Sequence, residues 1–384
     1  MKIRVAVVGT GAIGRGIVQV IKKSEDVEVV AIADINPIAL EKTARFLSKD
    51  TLVTTKPIDV LTTKPDVLVE ATPTILEAAL LVRRALKQKT HVVLMNGEVD
   101  QTFGRLLAKE AEDNGVILTS DAGDQHGVLV RMINDIRSMG FEIVIAGNDK
   151  GFLDRYASPE SIKEEAAKRR LSLGQCTSYT DGTKLAIEMA LVANALDLDI
   201  LQTGMTGPRA DHVSKALKVF DLEGARELGG VVDYVLGAEP GGSVFVIAYS
   251  NDPEDLFYMD YYKMGKGPYY LFMKPYHLCH YETPLAIRNI MKFHQSILVQ
   301  KKRVLEVGCR AKINLHAGTR LEGIGGHHLY GVLERPKNLP IGIAEGAVLI
   351  ESKRKDEAIG WNDVKFPKDD LRLALWKEQV ILET

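Results

Sequence analysis

The sequence predicts an α/β protein whose N-terminal part is a Rossmann-type, doubly wound parallel sheet. An apolar strand at Ile3–Val8 runs into the glycine turn 9–14, and a second apolar strand, Val27–Ala33, ends in Asp34. Predicted strands and helices then alternate along the chain, which is typical of a parallel sheet covered by helices. Downstream of this sheet we predict an α+β substrate domain and a small β-rich C-terminal module.

The glycine turn, Gly-Thr-Gly-Ala-Ile-Gly, indicates a site for a dinucleotide. Gly9 permits the tight turn, Gly11 lacks the Cβ that would meet a pyrophosphate, and Gly14 lets the next helix pack closely on the strand. The other residues of the turn that we expect to line the cofactor are Thr10, Ala12 and Ile13. Asp34 is placed to accept a hydrogen bond from a ribose 2′-hydroxyl and to repel a 2′-phosphate, so the predicted cofactor is NAD, with NADP as the alternative.

Apolar periodicity predicts the elements that follow the second strand. Helices are expected over 37–48, 75–87 and 102–113, and strands over 66–70, 91–94 and 116–119. With a bridging strand over 141–146, six strands are complete by about residue 147. The dinucleotide-binding domain is therefore placed at 1–146.

Small or polar residues follow the predicted strands. Because ligands of an open α/β sheet lie beyond the carboxyl ends of its strands, we expect these loops to line one crevice. The residues assigned to the cofactor are Ala71, Thr72, Pro73, Asn96 and Glu98, and those assigned to the substrate are Asp124 and Gln125.

The pattern changes after residue 147. Longer helices alternate with strand-like segments such as 231–235 and 244–248, which predicts an α+β substrate and catalytic domain over 147–283. From about residue 304 the chain is rich in Gly and Pro, with short apolar pairs and no convincing helix until its end. We interpret 303–366 as a small β-rich module appended to the enzyme body.

A buried helix is predicted to begin near Asp181. From Leu185 to Leu196 its only charge is Glu188, and apolar residues lie on every side. Asp181, Lys184 and Glu188 are spaced i, i+3, i+7 and so form one stripe. In one interpretation Lys184 is the acid or base at a carbonyl or alcohol oxygen, oriented by the two carboxylates; in the other, the three form a structural ion-pair cluster between domains. Burial would lower the pKa of Lys184 and the carboxylates would raise it, and the sequence does not decide between them.

Reactive side chains crowd the segment 274–282. His277, Cys279 and His280 are potential metal ligands, but prolines bracket the segment and an i, i+3 histidine pair suits a metal only on a helix, so we predict no metal site. His277 is expected to orient the substrate or relay a proton, with an ordinary surface histidine as the alternative. Lys274 and Tyr276 are expected to contact the substrate.

Composition and charge exclude several classes of protein. The chain is 46% hydrophobic and 26% charged with a net charge of −2, and it has no basic run that would indicate nucleic acid or a membrane surface. No signal-peptide pattern and no membrane-length apolar run is present, and the three cysteines are far apart. We therefore expect a cytoplasmic homo-oligomer that acts on a small molecule.

These motifs resemble those of a known family. The N-terminal half is similar to homoserine dehydrogenase in its glycine turn and at 69–72, 181–184 and 283–286. Nearly the whole chain resembles the homoserine-dehydrogenase-like oxidoreductases that carry a C-terminal SAF domain, through 123–125, 179–184, 274–277 and 339–344.

The resemblance implies an NAD(P)-dependent dehydrogenase acting on a CH–OH group, with the catalytic lysine at Lys184. It also implies that Thr283 and Pro284 lie at the cofactor and open a helix over 284–298 that returns to the nucleotide domain. The SAF resemblance suggests sugar-acid or hydroxy-acid substrates, by analogy.

Two departures from homoserine dehydrogenase concern the substrate. The family's Asn-Lys pair is Asn96-Gly97 here, and no Asp-rich segment precedes Asp181 to hold an α-amino group. We therefore expect a small polar hydroxy or aldehyde compound rather than homoserine. Two other classes stay open: a lyase or epimerase that recycles tightly bound NAD, and a non-enzymatic nucleotide-redox sensor.

Overall fold

The N-terminal part of the computed structural model, which describes residues 2–382, is a six-stranded parallel sheet. Its strands are β1 (Ile3–Val8), β2 (Val27–Ala33), β3 (Leu52–Thr54), β4 (Val67–Glu70), β5 (His91–Leu94) and β6 (Leu118–Ser120). They lie in the order β3-β2-β1-β4-β5-β6, which is the order of a Rossmann fold. The helices are α1 (Ala12–Ile21), α2 (Pro37–Ala44), α3 (Leu76–Lys87), α4 (Gly97–Asn114) and α5 (Gln125–Ser138), with a 3₁₀ helix at Pro57–Thr63. The predicted fold class is confirmed.

The membership of this sheet differs from the prediction in one strand. Residues 141–146, predicted as its bridging strand, belong to a different sheet, and β3 is the sixth member. β3 has three residues and none of them is buried, so it has no apolar run that a sequence pattern could show. α4 begins at Gly97, earlier than predicted, because the Asn96 side chain caps it by accepting a hydrogen bond from the Val99 N–H at 3.1 Å.

A second, mixed sheet follows. Its strands are β7 (Glu142–Lys150), β8 (Val231–Leu236), β9 (Val244–Tyr249) and β10 (Tyr269–Lys274), in the order β10-β9-β7-β8. β7 and β8 are parallel and the other neighbours are antiparallel. The helices are α6 (Lys163–Arg169), α7 (Leu173–Thr180), α8 (Thr183–Leu196), α9 (Ala216–Val219), α10 (Leu222–Glu227) and α11 (Pro253–Tyr261), with 3₁₀ turns at Val213–Lys215 and Cys279–Tyr281.

The chain then returns to the first sheet. α12 (Thr283–Arg288) continues as a π-helical turn at Asn289–Phe293, and His294 ends it with a φ of +53°. The predicted helix over 284–298 is therefore wrong beyond residue 293. The remaining residues are not helical because their backbone groups form hydrogen bonds with β6 instead. One N–H of β6 donates to the Leu298 carbonyl at 3.0 Å.

The C-terminal region consists of two antiparallel strand pairs and a helix. The elements are β11 (Glu306–Ala311) with β12 (Leu329–Glu334), β13 (Val348–Leu349) with β14 (Val364–Lys365), and α13 (Leu371–Leu382), with 3₁₀ turns at Ile341–Ile343 and Trp361–Asp363. This region is not merely appended, because its buried apolar side chains belong to the same core as those of the first sheet. A smaller core lies around the second sheet. The SAF assignment of the region stays a prediction.

α8 is the element at which these parts meet. Every residue from Thr183 to Ala195 is buried, as the sequence predicts. The helix packs against α4 and α5, against β8, and against β11 and β12 of the C-terminal region. Although α8 is apolar, neither it nor any other helix within residues 2–382 is long and apolar enough to cross a membrane.

We predict that removing residues 303–384 unfolds the protein. The large buried side chains of the shared core that the deletion removes include Leu305, Val307, Leu329, Leu333 and Trp376. At about 2 kcal/mol each, their burial is comparable with the whole stability of a typical domain, about 5–15 kcal/mol. Soluble yield and thermal melting by circular dichroism, compared with the full chain, measure the effect. A soluble fragment that melts cooperatively and binds NAD would show that the region is separable.

Candidate active site

The glycine turn has the geometry that a dinucleotide site requires. Gly9 has a φ of +90°, and a Cβ at this residue would lie 2.4 Å from the Ala71 carbonyl oxygen. A Cβ on Gly14 would lie 1.8 Å from the Gly9 carbonyl oxygen, so neither position admits a side chain. At Gly11, apart from its own chain neighbours, no atom of residues 2–382 lies within 4 Å of the Cβ position. This space at the start of α1 suits a pyrophosphate.

Asp34 is fixed against the same turn. Its Oδ2 accepts hydrogen bonds from the Thr10 N–H at 2.6 Å and the Thr10 hydroxyl at 3.0 Å, and its Oδ1 accepts from the Asn36 N–H at 2.8 Å. The carboxylate therefore lies at the end of β2, where this fold binds an adenosine ribose. The next residues are Ile35, Asn36 and Pro37, so no cation follows directly to receive a 2′-phosphate.

The loops after β4 and β5 are tied together beside the turn. The Asn96 side-chain amide donates to the Thr74 carbonyl at 2.7 Å. Glu70, at the end of β4, accepts from the Thr72 N–H at 2.8 Å, and burial raises the pKa of Glu70 to about 7. The segment Ala71-Thr72-Pro73 is thereby held as a partly exposed wall next to the glycine turn.

Lys184 lies at the centre of the candidate site. Its side chain is 6% exposed, and Nζ lies 3.6 Å from Asp124 Oδ2 and 3.7 Å from Glu98 Oε2. Burial by itself would lower the pKa of Lys184, but the charges of Glu98 and Asp124 raise it well above its usual value. The sequence could not decide whether burial or the carboxylates dominate the pKa of Lys184. In the structure the carboxylates dominate, so Lys184 is a charged ammonium group.

Gly97 leaves room for this ammonium group. A Cβ at residue 97 would lie only 3.3 Å from Lys184 Nζ. The lysine of the family's Asn-Lys pair would add a second side chain and a second positive charge at this point. With glycine at residue 97, no side chain of that residue approaches the Lys184 ammonium group.

Asp124 is surrounded by positive groups at the start of α5. Its Oδ1 accepts from the Gln125 N–H at 2.9 Å. Burial would raise the pKa of Asp124, but the charge of Lys184 opposes this effect and the pKa lies well below its usual value. The carboxylate is therefore ionised at neutral pH and can hold either Lys184 or a polar ligand.

The loop after β10 brings His277 and Cys279 to Asp124. A ring nitrogen, the thiol Sγ and a carboxylate oxygen of these residues lie within 4.8 Å of one another. His277 Nδ1 lies 2.8 Å from the Gly242 carbonyl oxygen, and the Cys279 N–H donates to the Gly123 carbonyl at 2.8 Å. Three side chains of the kinds that bind metal ions therefore lie together, although the sequence analysis predicts no metal site. A metal-binding measurement can test that prediction at these residues.

Other residues of this loop lie apart from Lys184. His280 packs against α1. Lys274 Nζ lies 2.7 Å from Glu282 Oε1, and Tyr276 is half exposed with its ring 5.1 Å from the same ammonium group. Within the described residues, no hydrogen bond or ion pair connects Lys274 or Tyr276 to Lys184.

Glu188, one helical turn after Lys184, pairs with a second lysine. Lys150 Nζ lies 3.6 Å from Glu188 Oε2 and donates to Gln125 Oε1 at 2.9 Å. The Asn148 amide donates to the same Gln125 oxygen at 2.5 Å. Sequence reasoning missed Lys150; the available signal was the change from apolar to polar residues at the end of β7.

Asp181 contacts a different lysine. Its Oδ2 accepts from Lys312 Nζ at 2.9 Å, and its Oδ1 accepts from the Thr183 N–H at 2.9 Å. Lys312, directly after β11, is almost fully buried and also donates to two backbone carbonyls. The predicted stripe is therefore divided: Lys184 and Glu188 lie with the charged groups near α5, whereas Asp181 joins the start of α8 to the C-terminal region.

Thr283 and Pro284 begin α12 and are both buried. Thr283 lies beside Asp121, which follows β6 and whose pKa is raised by burial to about 7. Further along the helix, Arg288 Nη2 lies 2.8 Å from Asp26 Oδ1, which ties α12 to the start of β2. The two residues thus lie at the carboxyl end of the first sheet, on the side of the crevice.

Two family models match the chain, one for each half of this site. Residues 9–120 match the NAD binding domain of homoserine dehydrogenase, and residues 123–283 match the catalytic domain of oxidoreductase DRL. These matches define an NAD(P)-binding oxidoreductase. More particularly, the N-terminal part of the chain is similar to the nucleotide-binding domain of homoserine dehydrogenase, and the part that follows it is similar to the catalytic domain of oxidoreductase DRL. Glu98 comes from the first match and Lys184 from the second, so their ion pair joins the two.

Individual relatives were also found. Homoserine dehydrogenase of Bacillus subtilis (strain 168) is 26% identical over 210 residues, which are 50% of this chain and 48% of that protein. The chain thus spans about half the length of this curated relative. Among solved structures, a homoserine dehydrogenase from Thiobacillus denitrificans has a TM-score of 0.49 at 16% identity, covering 83% of this chain and 84% of that one. A hyperthermophilic archaeal homoserine dehydrogenase in complex with NADPH has a TM-score of 0.47 at 14% identity, covering 77% and 100%.

We predict that Asp34→Ala weakens NAD binding and relaxes discrimination against NADP. The variant loses a charged hydrogen-bond acceptor for the ribose, which is worth about 1.5–3 kcal/mol, or roughly 10- to 150-fold in Kd. Isothermal titration calorimetry with both dinucleotides measures the change, and Asp50→Ala, at an exposed position, is the matched control. Tighter binding of NADP than of NAD by the unmodified protein would contradict the assignment.

Proposed function

We propose that the protein is an NAD-linked dehydrogenase that moves a hydride between nicotinamide and a small polar hydroxy or aldehyde compound, with Lys184 as the acid or base. The observation that carries the proposal is the buried ammonium group of Lys184, held by Asp124 and Glu98 where the two matched domains meet. Oxidation of an alcohol releases a proton from its hydroxyl as the hydride leaves, and a positioned side chain must exchange that proton.

The charge of Lys184 defines its role in carbonyl reduction. Because its pKa is raised well above the usual value, Lys184 is protonated at neutral pH. A protonated lysine polarises a substrate carbonyl and donates a proton to its oxygen as hydride arrives from NADH. The product is an alcohol and NAD⁺, so atoms and charge balance. In alcohol oxidation the same steps run in reverse, and the neutral amine of Lys184 takes the proton of the hydroxyl group.

The other assigned residues have supporting roles in this proposal. Asp124 and Glu98 orient Lys184, Gln125 and Asp124 contact the substrate, and His277 uses the ring nitrogen that is not directed at the Gly242 carbonyl. Lys274 and Tyr276 remain candidates at the edge of the site. Asp181 acts only through the position of α8. The cytoplasmic location and the homo-oligomer stay predictions from the sequence.

The substrate class rests on the resemblance and on the site together. The SAF-type resemblance supports a sugar-acid or hydroxy-acid type of compound. The relatives named above are homoserine dehydrogenases, but here Gly97 replaces the family's lysine and no Asp-rich segment precedes Asp181. We therefore place homoserine behind substrates that lack an α-amino group.

We predict that Lys184→Met lowers turnover by about 10²- to 10⁴-fold, the usual contribution of a general acid or base, while NAD affinity stays unchanged. NADH consumption with aldehyde and ketone probes measures turnover, and its stoichiometry separates a dehydrogenase from a lyase or epimerase that recycles NAD. Lys184→Arg keeps the buried charge and so controls for stability; Lys302→Met, at an exposed lysine, is the matched control. Activity that falls only in proportion to folded protein would make Lys184 structural.

A second candidate is a metal-assisted dehydrogenase, favoured by the group of Asp124, His277 and Cys279. A carboxylate, an imidazole and a thiolate are ligands that zinc accepts, and a bound metal ion would polarise a carbonyl in place of Lys184. The leading proposal predicts that activity survives dialysis against a chelator. Loss of activity on chelation, recovery on adding zinc, and loss of bound metal in Cys279→Ser by mass spectrometry would favour the second candidate.

A further inference from the structure

His126, in the first turn of α5, is a buried histidine whose ring is unpaired. It is 1% exposed, and neither ring nitrogen has a hydrogen-bond partner among residues 2–382. The Asp124 Oδ2 atom lies 3.9 Å from its Nδ1, which is beyond hydrogen-bonding distance. Buried polar atoms in proteins are nearly always paired, so this ring indicates a partner that the chain itself does not supply.

Two more buried atoms of the same polar cluster accept no hydrogen bond within residues 2–382, although one of them, Glu188 Oε2, lies 3.6 Å from Lys150 Nζ. The other atom is Asn148 Oδ1. Both residues connect to the start of α5, because Gln125 accepts from Asn148 and from Lys150, and Lys150 pairs with Glu188. Acceptors without a hydrogen bond and an unpaired ring at one place indicate a ligand with several polar groups.

The charges around His126 limit which chemical group of the ligand can lie next to the ring. Two lysines are matched there by three carboxylates; the lysines are Lys150 and Lys184, and the carboxylates are Glu98, Asp124 and Glu188. An anionic group at His126 would therefore meet excess negative charge. Within residues 2–382, no carboxylate lies within hydrogen-bonding distance of either ring nitrogen of His126, so both nitrogens are available to a ligand. A neutral imidazole has one donor and one acceptor, which matches a hydroxyl group.

We propose that His126 contacts the substrate and recognises a hydroxyl group other than the one at the reacting carbon. The inference rests on the proposed function, because it takes the space beside Lys184 as the substrate position. It makes polyhydroxylated compounds, such as polyols and sugar derivatives, the substrate class. Compounds with no additional hydroxyl are then poor substrates. In this assignment Lys184 handles the proton and His126 sets specificity.

The test uses paired probes that differ in additional hydroxyl groups: glycerol with 1,3-propanediol, threitol with 1,4-butanediol, and glyceraldehyde with propanal. Wild type, His126→Phe and His126→Asn are compared by kcat/KM and by the shift in melting temperature that each probe causes with NAD or NADH bound. His316→Phe, at an exposed histidine, is the matched control. We expect wild type to prefer the more hydroxylated member about 10- to 100-fold, because a site built to bind a hydroxyl rejects its analogue.

In His126→Phe this ratio falls to about one, whereas NAD affinity is unchanged; His126→Asn keeps part of the ratio because the amide also donates and accepts. An equal ratio in wild type and His126→Phe, or no probe-induced shift in wild type, overturns the inference. Failure of the proposed function looks different: no probe is oxidised or reduced, yet the melting shifts depend on His126, which supports the contact. If His126→Phe does not fold, the ratio measured for His126→Asn and His126→Gln decides.

Discussion

A buried ammonium group must be matched by negative charge, and at Lys184 the match comes from two different helices. Glu98 lies in the first turn of α4, and Asp124 caps α5. Lys184 and Asp124 are buried and Glu98 is partly buried, so removing either carboxylate would leave the Lys184 charge less well compensated in a place of low dielectric constant. The positions of α4, α5 and α8 are therefore coupled by charge as well as by apolar packing. The packing of α4 and α5 against α8 depends on that coupling.

The first turn of α8 is held from its other side by the C-terminal region. Lys312 neutralises Asp181 just before the helix, and the Gly331 N–H of β12 donates to the Thr183 hydroxyl at 2.8 Å. These contacts flank Lys184 in the sequence without touching its ammonium group. The C-terminal strands thus help to position the helix that carries Lys184.

Local features of the site could be predicted from the sequence, because they depend on residues a few positions apart. The glycine turn and the helix that buries Lys184 are of this kind. The pairs Lys150–Glu188 and Lys312–Asp181 could not be predicted, since their members come from distant elements and leave no periodic signal. β3 was missed because it has only three residues and none of them is buried. The helix over 284–298 ends early because backbone groups near its predicted end form hydrogen bonds with β6, which its own apolar spacing does not reveal.

α8 is synthesised well before β12, the strand that packs against it, and this order has a consequence for biosynthesis. α8 is buried on every side, yet β12, which packs against it, begins about 130 residues later. At about 5–20 residues per second, a ribosome needs roughly 7–26 s to make that stretch. During this interval the nascent chain contains the apolar helix α8, with Lys184 in its first turn, but β12 is not yet present to pack against it. Newly made molecules are therefore most prone to aggregation, and most dependent on chaperones, before their last eighty residues emerge.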